Sequence, residues 1–331
     1  MEKFKFNLRY FDGTPNTNLT TSEGLIEEMK VYYSDYLIDN AEPELVHDQF
    51  AQRHPIPSNG GKTVQFRKYS PLPKLHDKPL AEGVTPNGQS LNMSIVEATV
   101  VQYGGYIELS DMLLLTAIDN NLVQATRLLG SQAGRTLDTV TREVLASCNS
   151  VQWAENQVKA TDALVGGKDS GNHYLTVNAV RMAVRTLKKM NARKIDGSFV
   201  AIIHPDCSYD LMSDPNWKYP HQYQDTTNIY EGEIGKIEGV RFVETSEAKI
   251  FEGAGASGRN VYATFVLGAD AYGTTEIKNG GLEHIVKQLG SAGTADPLNQ
   301  RATAGWKATK AAVLLAQEHM VKILTTASAE D

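Results

Sequence analysis

Cysteine is almost missing from this chain: Cys148 and Cys207 are the only two in 331 residues, far apart and without C-x-x-C spacing. A disulfide framework and a thiolate zinc site are therefore not indicated, and a reducing compartment is expected. No apolar run approaches the roughly 20 residues of a membrane span. Met1–Phe6 also lacks the apolar core and small-residue cleavage site of a secretory leader, so the chain is expected to stay in the cytoplasm where it is made. Basic charge is not in excess either. Lys and Arg number 32 against 39 Asp and Glu, a formal charge of −7, which argues against a protein whose main task is gripping nucleic acid while leaving local basic patches open. What is present is 41% hydrophobic content, enough to bury sizeable cores in two or three domains.

Three glycine-rich stretches imitate phosphate loops. Gly232–Gly239 reads GEIGKIEG, Gly60-Gly61-Lys62-Thr63 resembles the end of a P-loop, and Gly253, Gly255 and Gly258 spell G-x-G-x-x-G. A phosphate cradle needs a helix N-terminus directly after the glycines. Each stretch instead runs into strand-like alternation, at Val240–Glu244, Val64–Phe66 and Val261–Phe265, so all three read as turns.

Along the chain, Thr20 and Glu23 form a capping box for a helix over Thr20–Asp39, whose apolar stripe (Leu25, Met29, Tyr32, Tyr33, Tyr36, Leu37) has no local partner. Thr63–Tyr69 and Leu91–Leu109 read as strands, the second with a phase slip between Ile95 and Val96 that predicts a bulge or a change of buried face. Between them lies a Pro/Gly-rich tip carrying Lys74, Lys78 and Glu82. Such a two-stranded arm needs another surface beneath it, which another copy of the chain could supply. From Asn121 to Cys148 apolar residues recur every three or four positions (Leu122, Ala125, Leu129, Ala133, Leu137, Val140, Val144), predicting a helix of roughly 40 Å. A second helix spans Thr176–Asn191, with Val180, Ala183, Val184 and Leu187 inward. Strands follow at Ser198–His204, Glu238–Glu244, Asn260–Leu267 and Leu282–Gln288, and near Ala311–Leu315 and His319–Leu324; the last two also fit buried helix, and strands are preferred.

Patterns that carry chemistry are few in this sequence. The eight histidines include no H-x-H or H-x-x-x-H pair. His204, Asp206 and Cys207 match no zinc template, and Asp206 reads as a helix cap. Ser257 lacks the closing glycine of G-x-S-x-G, since Arg259 stands there. No catalytic, cofactor or metal residue is assigned. Arg181, Arg185 and Lys188 share one helix face, with Lys189, Arg193 and Lys194 nearby. A solvated or salt-bridged face is the expected reading, with a polyanion or an acidic neighbouring subunit as the alternative. Trp217–Tyr223 is aromatic and is expected to pack at a loop or subunit interface rather than stack bases.

Several phrases in this order are familiar: Leu45–Phe50, Gly60–Val64, Pro79–Pro86, Ile202 and His204–Asp206, Tyr230–Gly235, Asp296–Gln300 and Gly305–Lys307. With them the chain resembles a major capsid protein of the coliphage N4-like family, whose members share the Hong Kong 97-type shell fold of tailed phages. Around Lys74–Lys78 it departs from the family, whose members often carry more acidic or different residues there. The resemblance implies an α+β fold with an N-terminal arm (1–54), an extended two-stranded loop and its base (55–109), a peripheral domain with a long spine helix (110–175), an axial domain (176–275) and a return to the peripheral domain (276–331). It implies a structural subunit, not an enzyme. The subunit would self-assemble into hexamers and pentamers around double-stranded DNA, touching the DNA only weakly and non-specifically. Lys74, Lys78 and Glu82 would then meet a neighbouring subunit, and portal, scaffolding or decoration proteins would be partners. Assembly would occur in the host cytoplasm and the product would be a virion capsid. An encapsulin-like compartment shell and a cytosolic nucleotide-using α/β enzyme are the competing readings.

Overall fold

A computed structural model describes residues 45–328 except 58–60, 117–120, 155–159, 166–172, 218–232, 276–280, 292–295 and most of 70–87. The expected helix over Thr20–Asp39, the residues after Trp217 in the aromatic segment, and Lys78 lie outside the described residues.

The described chain opens with a turn at residues 46–50 and a two-residue strand, β1 (Gln52–Arg53). Strands β2 (Thr63–Tyr69) and β3 (Met93–Thr99) then pair antiparallel as a separate hairpin, with Phe66 opposite Val96. β4 (Val101–Ser110) leaves the hairpin and joins another sheet. The change of buried face occurs here and not between Ile95 and Val96. Val96, Ala98 and Val100 turn inward, then Tyr103, Ile107 and Leu109, while Ile95 is exposed. Exchange of one pairing partner for another forces the phase change, and the amide of Val100 marks it by donating to the carbonyl of Lys62 at 2.8 Å.

The hairpin is not wholly uncovered. Val64 and Phe66 pack with Ile56, Ala98, Val100, Ala311 and Val313 of the same chain. The need for cover is met locally at the base, while Tyr69, Leu91, Met93 and Ile95 stay exposed towards the tip.

Helix α1 (Asp111–Thr116) precedes the long helix α2 (Asn121–Ala146), which at about 1.5 Å per residue spans roughly 39 Å. Its core stripe runs through Ala125, Leu129, Ala133 and Leu137 as the spacing predicts, then through Leu145 rather than Val144. Polar Thr126, Asp138 and Thr141 are also buried on it. Beyond β5 (Val151–Trp153), helix α3 (Val177–Lys189) is capped by the hydroxyl of Thr176, which accepts from the amide of Ala179. It ends at Asn191 in the left-handed region, with Lys188 and Lys189 in the last turn where the dipole favours cations.

Next come β6 (Phe199–Ile203) and helix α4 (Pro205–Ser213). The α4 cap is the ring of His204, accepting from the amide of Asp206 at 3.2 Å, with Pro205 in the first turn. Asp206 is therefore inside the helix and not its cap. GEIGKIEG also divides differently from a simple turn. Glu233–Ile237 is itself strand β7, paired with β8 (Val240–Glu244), and the turn is Glu238-Gly239 alone. Both turn residues have positive φ, 53° and 79°, as a two-residue hairpin connection requires.

The remaining strands are β9 (Ile250–Phe251), β10 (Val261–Leu267), β11 (Tyr272–Thr275), β12 (Glu283–Lys287), β13 (Arg301–Leu314) and β14 (Met320–Thr325). Both ambiguous C-terminal runs are thus strands. One sheet has the order β5-β14-β10-β6-β8-β7, with β9 beside β10. Every residue of β6, β10 and β14 is buried, because α3, α4 and Trp217 cover one face while Leu145, Leu164, Phe265 and Tyr272 pack on the other. Continuous apolar runs, not alternation, are the signature of such doubly covered strands. Full burial of Phe199, Ile202, Phe242 and Phe265 contributes about 1.5–3 kcal/mol each. The second sheet runs β1-β11-β13-β12, with β4 also on β13, and carries α2 on one face through Leu129, Ala133, Leu137, Ala304, Trp306 and Ala308.

Candidate functional site

The residues singled out by sequence do not converge. Lys74 and Glu82 are exposed, on the segment joining β2 to β3. Arg181, Arg185 and Lys188 line the exposed face of α3, opposite buried Val180, Ala183, Val184 and Leu187. Arg181 is paired: its guanidinium reaches Glu238, in the β7–β8 turn, at 2.7 Å. With both partners more than a third exposed, the pair positions the turn more than it stabilises the fold.

The imitation phosphate loops end in strands. Gly61 leads to β2, the 232–239 stretch contains β7 and leads to β8, and the 253–258 stretch leads to β10. Cys207 is fully buried and its thiol is pushed up to about 12 by burial, so it offers no thiolate at neutral pH. His204 is held below the ordinary imidazole value, chiefly by burial. Among the described residues no group of three or more His, Cys, Asp or Glu is placed to hold a metal. Trp217 is core, edge-on to Phe242 with ring centroids 5.3 Å apart.

What the fold does offer is surface. On the β4-β13-β12 sheet lies a groove of about 720 Å³, lined by Tyr103, Tyr106, Ile285, Trp306 and the backbone of Gly104, Gly105 and Gly305. Tyr106 is 72% exposed there. Two ion pairs, Arg301–Glu108 at 3.1 Å and Lys307–Glu283 at 3.0 Å, cross the same strands. A broad groove with an exposed aromatic and paired charges suits protein contact better than small-molecule turnover. The hairpin adds exposed Tyr69, Met93 and Ile95, in which Tyr69 and Met93 are cross-strand partners.

Sequence reading missed a buried polar cluster. His47 and Asp48, beside β1, meet Asp138 and Thr141 of α2, Tyr272 of β11 and Lys310 of β13. The sequence-level signals were the phrase Leu45–Phe50, which contains His47 and Asp48, and a polar residue on the buried side of α2, Asp138, neither of which names a partner.

No match was found among curated protein sequences. The capsid of Ralstonia phage GP4 is similar in structure, with a TM-score of 0.62 at 14% identity, covering 85% of this chain and 88% of that one. The cyanophage Pam1 capsid gives 0.59 at 18%, covering 82% and 86%. The encapsulin complex of Synechococcus elongatus gives 0.53 at 9%, covering 85% and 87%. These likenesses show the Hong Kong 97-type shell fold expected from the sequence. The family model for phage capsid protein matches residues 95–323, from within β3 to within β14. The chain belongs to the phage capsid protein family.

Proposed function

We propose that this chain is the major capsid protein of a tailed double-stranded DNA bacteriophage of the coliphage N4-like kind, a subunit whose work is self-association and which turns over no substrate. The match of residues 95–323 to the capsid family carries the reading. The N4-like assignment rests on the sequence phrases alone. Hexamers and pentamers of the chain close an icosahedral shell in the host cytoplasm and persist as the virion capsid. Portal, scaffolding or decoration proteins join the assembly, and the enclosed DNA is touched weakly. Lys74, Lys78 and Glu82 contact a neighbouring subunit.

In this reading residues 1–54 form the arm, 55–109 the extended loop and its base, 110–175 with 276–331 the peripheral domain, and 176–275 the axial domain. The units interlock, because β5 and β14 from the peripheral segments pair with each other and β14 pairs with axial β10. Residues 47 and 48 are likewise bonded into the body, so a truncation that probes the arm must stop before Leu45.

An encapsulin-like shell is the second reading, favoured by the likeness to the Synechococcus elongatus complex. The test is negative-stain imaging of the purified full chain and of a variant lacking residues 1–44. Capsomers, sheets or particles are expected from the full chain, and a folded but assembly-incompetent subunit from the truncation. A small, soluble oligomer with turnover of a nucleotide would overturn the shell reading; normal particles from the truncation would overturn the role of the arm.

A further inference from the structure

The chain between Leu45 and Ile56 runs as a strap across the body. Among the described residues its strand pairing is β1 on β11, two residues long and parallel, with a single bridge residue at Ile56. Its apolar anchors are buried Phe50 and Ile56, with Leu45, Val46 and Ala51 partly buried against the core. Its buried polar attachments converge on two adjacent residues, His47 and Asp48. The amide of His47 donates to Asp138 Oδ1 at 2.7 Å, and its Nδ1 meets Asp138 Oδ2 at 2.5 Å. The carbonyl of His47 accepts from the hydroxyl of Tyr272. Asp48 accepts from Thr141 Oγ1 at 2.5 Å and from the ammonium of Lys310, which also donates to the carbonyl of Leu137 at 2.9 Å. His47, Asp48, Asp138 and Lys310 are all buried, and among the described residues His47 Nε2 has no hydrogen-bond partner.

A strap held this way behaves differently from one held by packing. Its polar groups regain hydration as soon as it lifts, which offsets part of the cost of exposing Phe50, Ile56 and the partly buried Leu45, Val46 and Ala51. Opening is also all-or-none, because breaking one pair leaves the other charges buried without compensation. We propose that Leu45–Ile56 is a separately opening strap and that the His47–Asp138 and Asp48–Lys310 pairs are its latch, which fixes the point where residues 1–44 join the fold. The inference concerns the single subunit and does not depend on what the subunit builds.

The test is native-state hydrogen exchange of the intact chain at increasing, sub-denaturing urea. The amides of Gln49, Ala51 and His54, each hydrogen-bonded within or beneath the strap, are expected to exchange together, well before those of β6 and β10. Exchange of strap and sheet amides at one common rate would overturn the proposal without any mutant. In Asp48→Asn the strap should open roughly a hundredfold more often, with β6 and β10 unchanged. Replacing the pair by apolar groups, Asp48→Leu with Lys310→Met, should close it again. Acceleration throughout the molecule, or an apolar pair as open as Asp48→Asn, would show that the two buried pairs are not a latch.

Discussion

The indole N–H of Trp306 on β13 donates to the side-chain carbonyl of Gln132 on α2 at 3.1 Å, passing over the backbone of Gly105 on β4. A Cβ on Gly105 would lie 2.9 Å from Gln132 Oε1 and 3.4 Å from Trp306 Nε1. One residue earlier, a Cβ on Gly104 would lie 2.7 Å from the carbonyl oxygen of Trp306. Glycine normally weakens a strand, and here it permits a close approach of sheet and helix. The two obstacles differ in kind: a flexible side-chain end can move, a backbone carbonyl in a ladder cannot. Gly104→Ala is therefore expected to destabilise more than Gly105→Ala, within the about 1–3 kcal/mol typical of overpacking. Urea denaturation of both variants checks the order, and the reverse order would refute the steric account.

Lys68 on the hairpin and Glu318, just before β14, meet at 3.0 Å although both are largely exposed. The carboxyl of Glu318 is held below its ordinary value by its own backbone amide first and by Lys68 second. A depressed carboxyl contributes stability above its unfolded value of 4.5, lost as pH falls through the folded one. Solvent screening keeps the stabilisation small, so the pair matters for position. Lys68→Gln should leave the melting temperature within about 1 °C while raising exchange at the β2 and β3 amides. Unchanged exchange in the hairpin would show that Val64 and Phe66 alone set its pose.

How much of this was legible follows from where the signal sits. β6 was readable because every position is apolar, β10 because all but Thr264 are, and α3 because its stripe is clean and Thr176 caps it. β13 was read only at its last few residues. Its inward positions are Ala302, Ala304, Trp306, Ala308 and Lys310, in which small alanines dilute the alternation and a lysine breaks it. The slip in the β3–β4 run was misplaced because Ile95 is apolar and yet exposed. The polar cluster was out of reach: His47 and Asp138 lie 91 positions apart, and Asp48 and Lys310 lie 262 apart. Such partners are neighbours only once the sheet has formed.

Under the proposed function, the basic face of α3 raises the question of DNA contact. A shell filled and emptied through a portal is expected not to hold its cargo, since each neutralised phosphate adds salt-dependent affinity. Arg181 is already engaged by Glu238, and protein carboxylates are expected to answer the rest of the face. Purified capsomers should bind duplex DNA weakly, without sequence preference, and a triple variant of Arg181, Arg185 and Lys188 to Gln should lose assembly more than DNA affinity. Tight binding at physiological salt that vanishes in the variant would make the face a DNA contact.

The end of the described chain is held by a carboxylate. Asp210 on α4 accepts from the amide of Ser328 at 2.9 Å and from its hydroxyl. Burial pushes the Asp210 carboxyl above its ordinary value of 3.8; the Ser328 bonds oppose the shift, and nearby Asp206 adds to it. A carboxyl raised on folding binds its proton more readily in the native state, so the native state holds more protons between 3.8 and the folded value. Through this group alone, stability therefore rises as pH falls across that window, the reverse of the usual paired carboxylate. Asp210→Asn removes the titration. Wild type should gain on the variant as the pH of a urea-unfolding series is lowered towards 3.8. A stability difference independent of pH would show that the carboxyl titrates alike folded and unfolded, and a difference of opposite slope would show that the Ser328 bonds outweigh burial.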